Sequence, residues 1–232
     1  MPSASPPIGP FRGFGPRALV FFEGLAAEQS REWFEENRGV YESDVKAPMA
    51  ALVAELAEGL RKKKIPLDAD PQRAMFRINR DIRFSKDKSP YKTHAGACLY
   101  KDGEKEAPGL LYIHLAPEGC FVAAGFHMPE ADALAALRQA IAGQAKAFAA
   151  VEKKLAAAKL EVGGHGDALK RLPRGFEDVT DARTAELVKQ KSYVVQRPVA
   201  AKALHDAKLV GFILDFVVDA RPLLDFGWKA LA

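Results

Sequence analysis

Apolar residues recur at helical spacing through the first third of the chain, alternate with polar ones through the middle, and return to helical spacing in the last third. In "RALVFFEGLAAE", Leu19, Phe22 and Leu25 fall on one helical face. Ser30 is placed to cap a second helix, with Glu32 in the first turn, where the helix dipole favours an acid. That helix carries "REWFEENRGVYESDVKAPMAALVAELAEGLRKKK". Pro48 must break, kink or restart it, because proline lacks the N–H and its ring crowds the preceding turn. Beyond Pro48, Leu52, Leu56 and Leu60 share a face, and Lys62, Lys63 and Lys64 suit a helix C-terminus.

The period then changes to two. In "AMFRINRDIRF", Phe76, Ile78, Ile82 and Phe84 alternate with Arg77, Asn79, Asp81 and Arg83, which predicts a half-buried strand. "THAGACLYK", "GLLYIHLAP" and "GCFVAAGFHM" predict further strands, and the short links "KDGEKEAP" and "PEG" make them antiparallel neighbours. "PEADALAALRQAIAGQAKAFAAVEKKLAAAKL" is helical, with Leu134, Leu137, Ile141 and Phe148 as its apolar stripe and Pro129 in its first turn. "GGHGDALKRLPRGF" reads as a loop with a short turn, and "KSYVVQRPV" as one more strand. The tail is helical again, with Pro222 starting its last piece. The pattern predicts an α+β fold, a central antiparallel sheet with N-terminal and C-terminal helices packed on it. Residues 17–232 form a single domain in this reading. Residues 1–16, rich in Pro, Gly and Ser, form a flexible arm draped on the surface.

Composition changes this picture little. The chain has 232 residues, 48% hydrophobic and 28% charged, enough for a sizeable core without disulfides. Cys98 and Cys120 lack zinc spacing and read as two buried thiols in a reducing compartment. The first residues lack the apolar run of a signal peptide, and the longest apolar stretch, "LVGFILDFVVDA", is interrupted by Asp215 and Asp219. A soluble, cytoplasmic protein without membrane association is expected.

Charge distribution adds more. Between Arg73 and Lys92, seven cations stand against Asp81 and Asp87, giving +5, while the whole chain carries +4. The rest therefore sums to −1, and the basicity of the protein is one segment. Arginine forks, lysine point charges and hydroxyls in this pattern suit a phosphate or carboxylate. The candidate ligand-binding residues are Arg77, Arg80, Asp81, Arg83, Ser85, Lys86, Lys88, Tyr91 and Lys92. Arg80 is out of phase. Strict alternation puts it on the apolar face, where an unpaired guanidinium costs several kcal/mol, about 3–5. It must therefore find a carboxylate, leave through a bulge, or meet an anion, and a bidentate contact with an acid of the second helix or with Asp81 is expected. Flanking guanidinia keep Asp81 ionised, so it orients an arginine rather than acting as a base. The competing reading is a closed ion network with Glu32, Glu35, Glu36, Glu42 and Asp44.

"FRINRDIRFSKDKSPYKTHAGA" resembles the signature of the family known as domain of unknown function 2461. "REWFEENRGVYE", "LKRLPRGF" and "LVKQKSYVV" extend the resemblance over most of the chain. Where that family carries an Asn pair before its Arg-Glu-Trp-Phe, this chain has Gln29 and Ser30. The resemblance implies no activity. It implies that the central motif and the Trp33 helix belong to one feature.

Other motifs are absent or weak. His94, His114 and His127 lie in or near strands without metal-ligand spacing, and no metal or cofactor is expected. Ser85 and Cys98 lack a nucleophile-elbow context, and neither a Walker loop nor a dinucleotide fingerprint is present. Whether the protein is an enzyme, and its oligomeric state, are not written in the sequence. The expected function is binding of a small anionic ligand at residues 77–92. The alternatives are a nucleic-acid-binding module, or a scaffold whose basic hairpin is an ion network or docks an acidic protein.

Overall fold

The computed structural model describes residues 8–83, 86–163 and 168–232. Helix α1 (Ala18–Ala27) buries Phe21, Phe22 and Leu25. Helix α2 (Arg31–Val40) starts where expected, and the Trp33 N–H donates to the Ser30 hydroxyl at 3.1 Å. It continues through a π-helical stretch (Tyr41–Lys46) into α3 (Ala47–Lys62). Pro48 thus sits in the first turn of α3, and the widened turn before it absorbs the mismatch. The Asp44 carbonyl, four residues back, accepts the Gly15 N–H at 3.0 Å. Leu52, Leu56 and Leu60 on α3 are fully buried.

The five-stranded sheet is an antiparallel meander in the order β1 (Leu67–Asp68), β2 (Ala95–Lys101), β3 (Leu110–Leu115), β4 (Cys120–Phe126), β5 (Tyr193–Val199). Its inner face presents Ala97, Leu99, Leu111, Ile113, Val122, Ala124 and Val195 to α3 and to α7 (Leu209–Ala230), which complete one continuous core. The outer face carries Cys98, Tyr100, Tyr112, His114 and Phe121.

Four local readings change. The 129–160 region is two helices, α4 (Ala131–Gly143) and α5 (Ala145–Ala157), and Pro129 precedes the first helical turn. Helix α6 (Ala182–Lys189), not anticipated, is capped by Asp181, whose carboxylate accepts the Thr184 N–H at 2.8 Å. Pro222 lies inside α7, not at a restart, and the carbonyl it leaves without a partner belongs to exposed Val218. Within the stretch read as an arm, residues 8–16 have no helix or strand but are anchored. Phe11 and Phe14 are each 3% exposed, and the Phe14 N–H donates to the Leu204 carbonyl at 2.7 Å. Among the described residues, no helix is long and apolar enough to cross a membrane.

Candidate functional site

The basic segment is extended but is not a sheet strand, which corrects the period-two reading. It changes partner halfway. At its start it lies on the free edge of β2: the Cys98 N–H donates to the Ala74 carbonyl at 3.1 Å, and the Phe76 N–H to the Gly96 carbonyl at 2.8 Å. After Arg77 it turns from the sheet and pairs with its own downstream chain. The Lys92 N–H donates to the Ile78 carbonyl at 2.8 Å, and the Arg80 N–H to the Pro90 carbonyl at 2.9 Å. With no single neighbour along its length, the alternation buries only part of its apolar set. Ile78 is 8% exposed, whereas Phe76 and Ile82 are each 37% exposed. Phe84 and Ser85 lie outside the described residues.

Leaving the sheet also resolves the Arg80 problem differently from the expectation. Arg80 is half-buried, and among the described residues its guanidinium pairs with Asp87 at 2.5 Å and with neither a helix acid nor Asp81. Asp87 also accepts the Ser89 N–H at 2.9 Å, and these contacts, led by Ser89, hold its carboxyl below the ordinary value. Arg83 forms the bidentate fork, on Asp81, at 2.9 and 2.6 Å. That fork, with the Arg83 N–H and then Arg77 further off, lowers the Asp81 carboxyl below its ordinary value. The Lys88 ammonium donates to the Ile82 carbonyl at 2.8 Å, and Lys86 is exposed. The turn therefore neutralises its own arginines.

Acids of α2 and of the π-helical stretch also have partners outside the basic segment. Glu35 binds Arg38 at 2.8 and 2.6 Å, Glu42 binds Lys46 at 2.9 Å, and Asp44 accepts from Arg17 and Ser43. Among the described residues, none of these acids pairs with the basic segment, and Glu32 and Glu36 are likewise not paired with it.

Met75, Phe76 and Arg77 form a partition between two clefts. The helix-side cleft, about 590 Å³, lies against α2 and the π-helical stretch. Phe34, Tyr41, Ile78 and Tyr91 supply its apolar part, and Arg31, Arg38 and Lys46 with Glu35 and Glu42 its charge. Tyr91 is buried here and not in the turn. Its ring stacks on Phe34 at 4.8 Å, and its N–H donates to the Gln29 side-chain oxygen at 3.1 Å. Gln29 and Ser30 thus serve as tether and cap. Tyr91 joins the central motif to the Trp33 helix, the union the resemblance implied.

The sheet-side cleft, about 830 Å³, lies over the outer face of β2. Arg73, Arg77, Lys92 and Lys105 surround it, and Phe76, Cys98 and Tyr100 form its floor. The Lys92 ammonium donates to the Arg77 carbonyl at 2.9 Å and lies 5.5 Å from the centre of the Phe76 ring. Burial, then Arg77, lowers its pKa. Glycine at 96 lets the aromatic rings close over the strand, because a β-carbon there would lie 2.8 Å from the Tyr112 hydroxyl and 3.2 Å from Phe76, and those side chains would have to shift. Burial raises the Cys98 thiol to about 11, and Tyr100 is raised as well, burial being the first cause and Cys98 the second. Both are protonated at neutral pH, so the floor is uncharged.

Further across the outer face, His114 is flanked by His94 at 4.9 Å and Phe121 at 4.6 Å, and its Nδ1 shares a hydrogen bond with the Tyr112 hydroxyl at 2.9 Å. Burial, with His94 next, pushes His114 down to about 4. Among the described residues His127 makes no ring contact with this pair, and no group of three His, Cys, Asp or Glu is arranged to hold a metal.

Of the nine candidates, then, Arg77 and Lys92 face the sheet-side cleft, Arg80, Asp81, Arg83, Lys86 and Lys88 form the turn, Tyr91 is a buried pin, and Ser85 is undescribed. Sequence reasoning missed Lys105, Tyr100 and the role of Arg73. Lys105 was visible as a charge in a hairpin link, but only strand register carries that link to the β2 edge.

The chain belongs to the family described as conserved hypothetical protein (DUF2461), whose model matches residues 17–226, a span that includes both clefts. No curated protein and no solved structure matches.

Proposed function

We propose that the protein binds a small anionic ligand, bearing a phosphate or carboxylate, in the sheet-side cleft. One observation carries this reading: the cations of the basic segment sort into two groups. Arg80 and Arg83 are matched by Asp87 and Asp81. Arg77 and Lys92 have no carboxylate partner among the described residues, and they converge with Arg73 and Lys105 from two other segments on one concave surface. Guanidinium and ammonium groups held apart by a folded scaffold repel one another until an anion arrives. In this reading Lys86 and Lys88 add a long-range positive field, and Asp81 fixes Arg83 without exchanging protons. The turn itself keeps the ion-network reading. A reducing cytoplasm as the working compartment is supported by the two free, buried thiols.

A thermal-shift titration with phosphate, tripolyphosphate and citrate, each against sodium chloride of equal ionic strength, tests this. A specific anion at a hundredfold excess over its Kd stabilises by about 2.7 kcal/mol. Arg77→Ala is expected to remove that shift. No shift above the salt control, or an equal shift in Arg77→Ala, overturns the proposal.

A further inference from the structure

The sheet-side cleft has two ends that differ chemically. Along β2 it is lined by Cys98 and Tyr100, about 7 Å apart at the rise of a strand, and it continues to the hairpin turn at Gly103–Lys105. At one end stand Arg77 and Lys92, without a carboxylate partner among the described residues, and Phe76, over which the Lys92 ammonium lies. In the middle lie Cys98 and Tyr100, a flat uncharged floor. At the other end Asp70 and Glu104 reach the rim beside Arg73 and Lys105, with Asp70 3.6 Å from Arg73.

A compact anion such as phosphate fills only the first end. A ligand charged along its whole length meets the two rim carboxylates. The volume, about 830 Å³, lies within the range of small-ligand sites, about 300–1,000 Å³. We infer that the cleft takes a nucleoside phosphate, with its phosphate at Arg77 and Lys92, its planar base on Tyr100 above Cys98, and its hydroxyl or amino donors at Asp70 and Glu104. The inference rests on the anion-binding reading and adds the ring. Aromatic side chains bind every base through its face, and carboxylates at the far end accept from sugar hydroxyls or an exocyclic amine while rejecting a second negative group. Arg77 serves as the phosphate fork, and Lys92, already partly desolvated over Phe76, as the point charge beside it.

Calorimetric titration of the full chain with ATP, GTP and AMP against tripolyphosphate and pyrophosphate, in constant salt, tests both readings separately. The expected result is a nucleotide at least about tenfold tighter than the oligophosphate of equal charge. Tyr100→Leu should remove that advantage while leaving oligophosphate affinity within about twofold, and Tyr100→Phe, which keeps the ring, should retain it. Melting curves of both variants establish that they fold, and Glu104→Gln in the exposed turn provides a second probe, expected to change the preference between nucleotides. Equal affinity for nucleotide and oligophosphate overturns the ring assignment and leaves anion binding standing. Binding of neither overturns both. A single-stranded oligonucleotide bound far more tightly than any mononucleotide, with a steep salt dependence, overturns the small ligand in favour of a strand.

Discussion

The two clefts share a wall, and the charges around them behave in opposite ways. On the helix side each glutamate finds its cation three or four residues along the same helix: Glu35 with Arg38, Glu42 with Lys46. Helical geometry makes such neighbours available automatically. On the sheet side the cations come from a turn after β1, an irregular segment and a hairpin link, and among the described residues Arg77 and Lys92 have no acid partner. The helix offers partners at fixed offsets, whereas the irregular segment pairs Arg80 and Arg83 with Asp87 and Asp81 and gives Arg77 and Lys92 no carboxylate among the described residues.

Removing the apolar pin of the helix-side cleft is expected to have the largest effect on stability. Phe34 is 4% exposed and stacks on Tyr91. Phe34→Ala should cost about 3–5 kcal/mol, read as a lower denaturant midpoint. A loss below about 1 kcal/mol would mean that the hairpin is not held through this contact. Arg77→Ala should do the reverse. It leaves stability within about 1 kcal/mol, since Arg77 is exposed and makes no ion pair among the described residues, but weakens anion binding at least about tenfold.

The histidine pair extends the comparison to pH. The folded chain holds His114 near 4, against an ordinary 6.5. Between those values the unfolded chain takes up a proton that the folded one refuses, so this contribution is complete above pH 6.5 and is lost as pH falls toward 4. His114→Phe should flatten the dependence of Tm on pH across that window. Parallel slopes in mutant and wild type would refute the assignment.

Two smaller substitutions sharpen the contrast. Arg80→Lys loses one half-exposed contact with Asp87 and should change stability by about 1 kcal/mol at most, rather than as a buried fork would. Glu35→Gln removes the partner of Arg38 and is expected to lower stability only slightly, read from the denaturant midpoint. It also makes the helix side resemble the sheet side, so a weak second anion site, detected by calorimetry, is the expected gain.

Local pattern carried most of the architecture. Ser30 as a cap, the leucine face of α3, and strands β2 to β5 all follow from spacing and side-chain type over a few residues, because helices and strands are stabilised by neighbours at fixed offsets. Helix α6 was within reach too, since Asp181 followed three residues later by Thr184 is a capping pattern at the start of eight helical residues. The basic segment was not. Its alternation is real, but alternation becomes a strand only where one neighbour runs alongside, and this chain leaves β2 after Arg77 to pair with itself.

The sequence by itself determined the α+β class, the antiparallel pairing of β2, β3 and β4, and the concentration of positive charge in one stretch. Tertiary structure decided which of those charges are neutralised and which surround a cleft. An ion pair depends on where two side chains end in space. For Arg77, Lys92 and Lys105 that place is set by strand register and by a change of partner, neither of which is encoded at any fixed spacing along the chain.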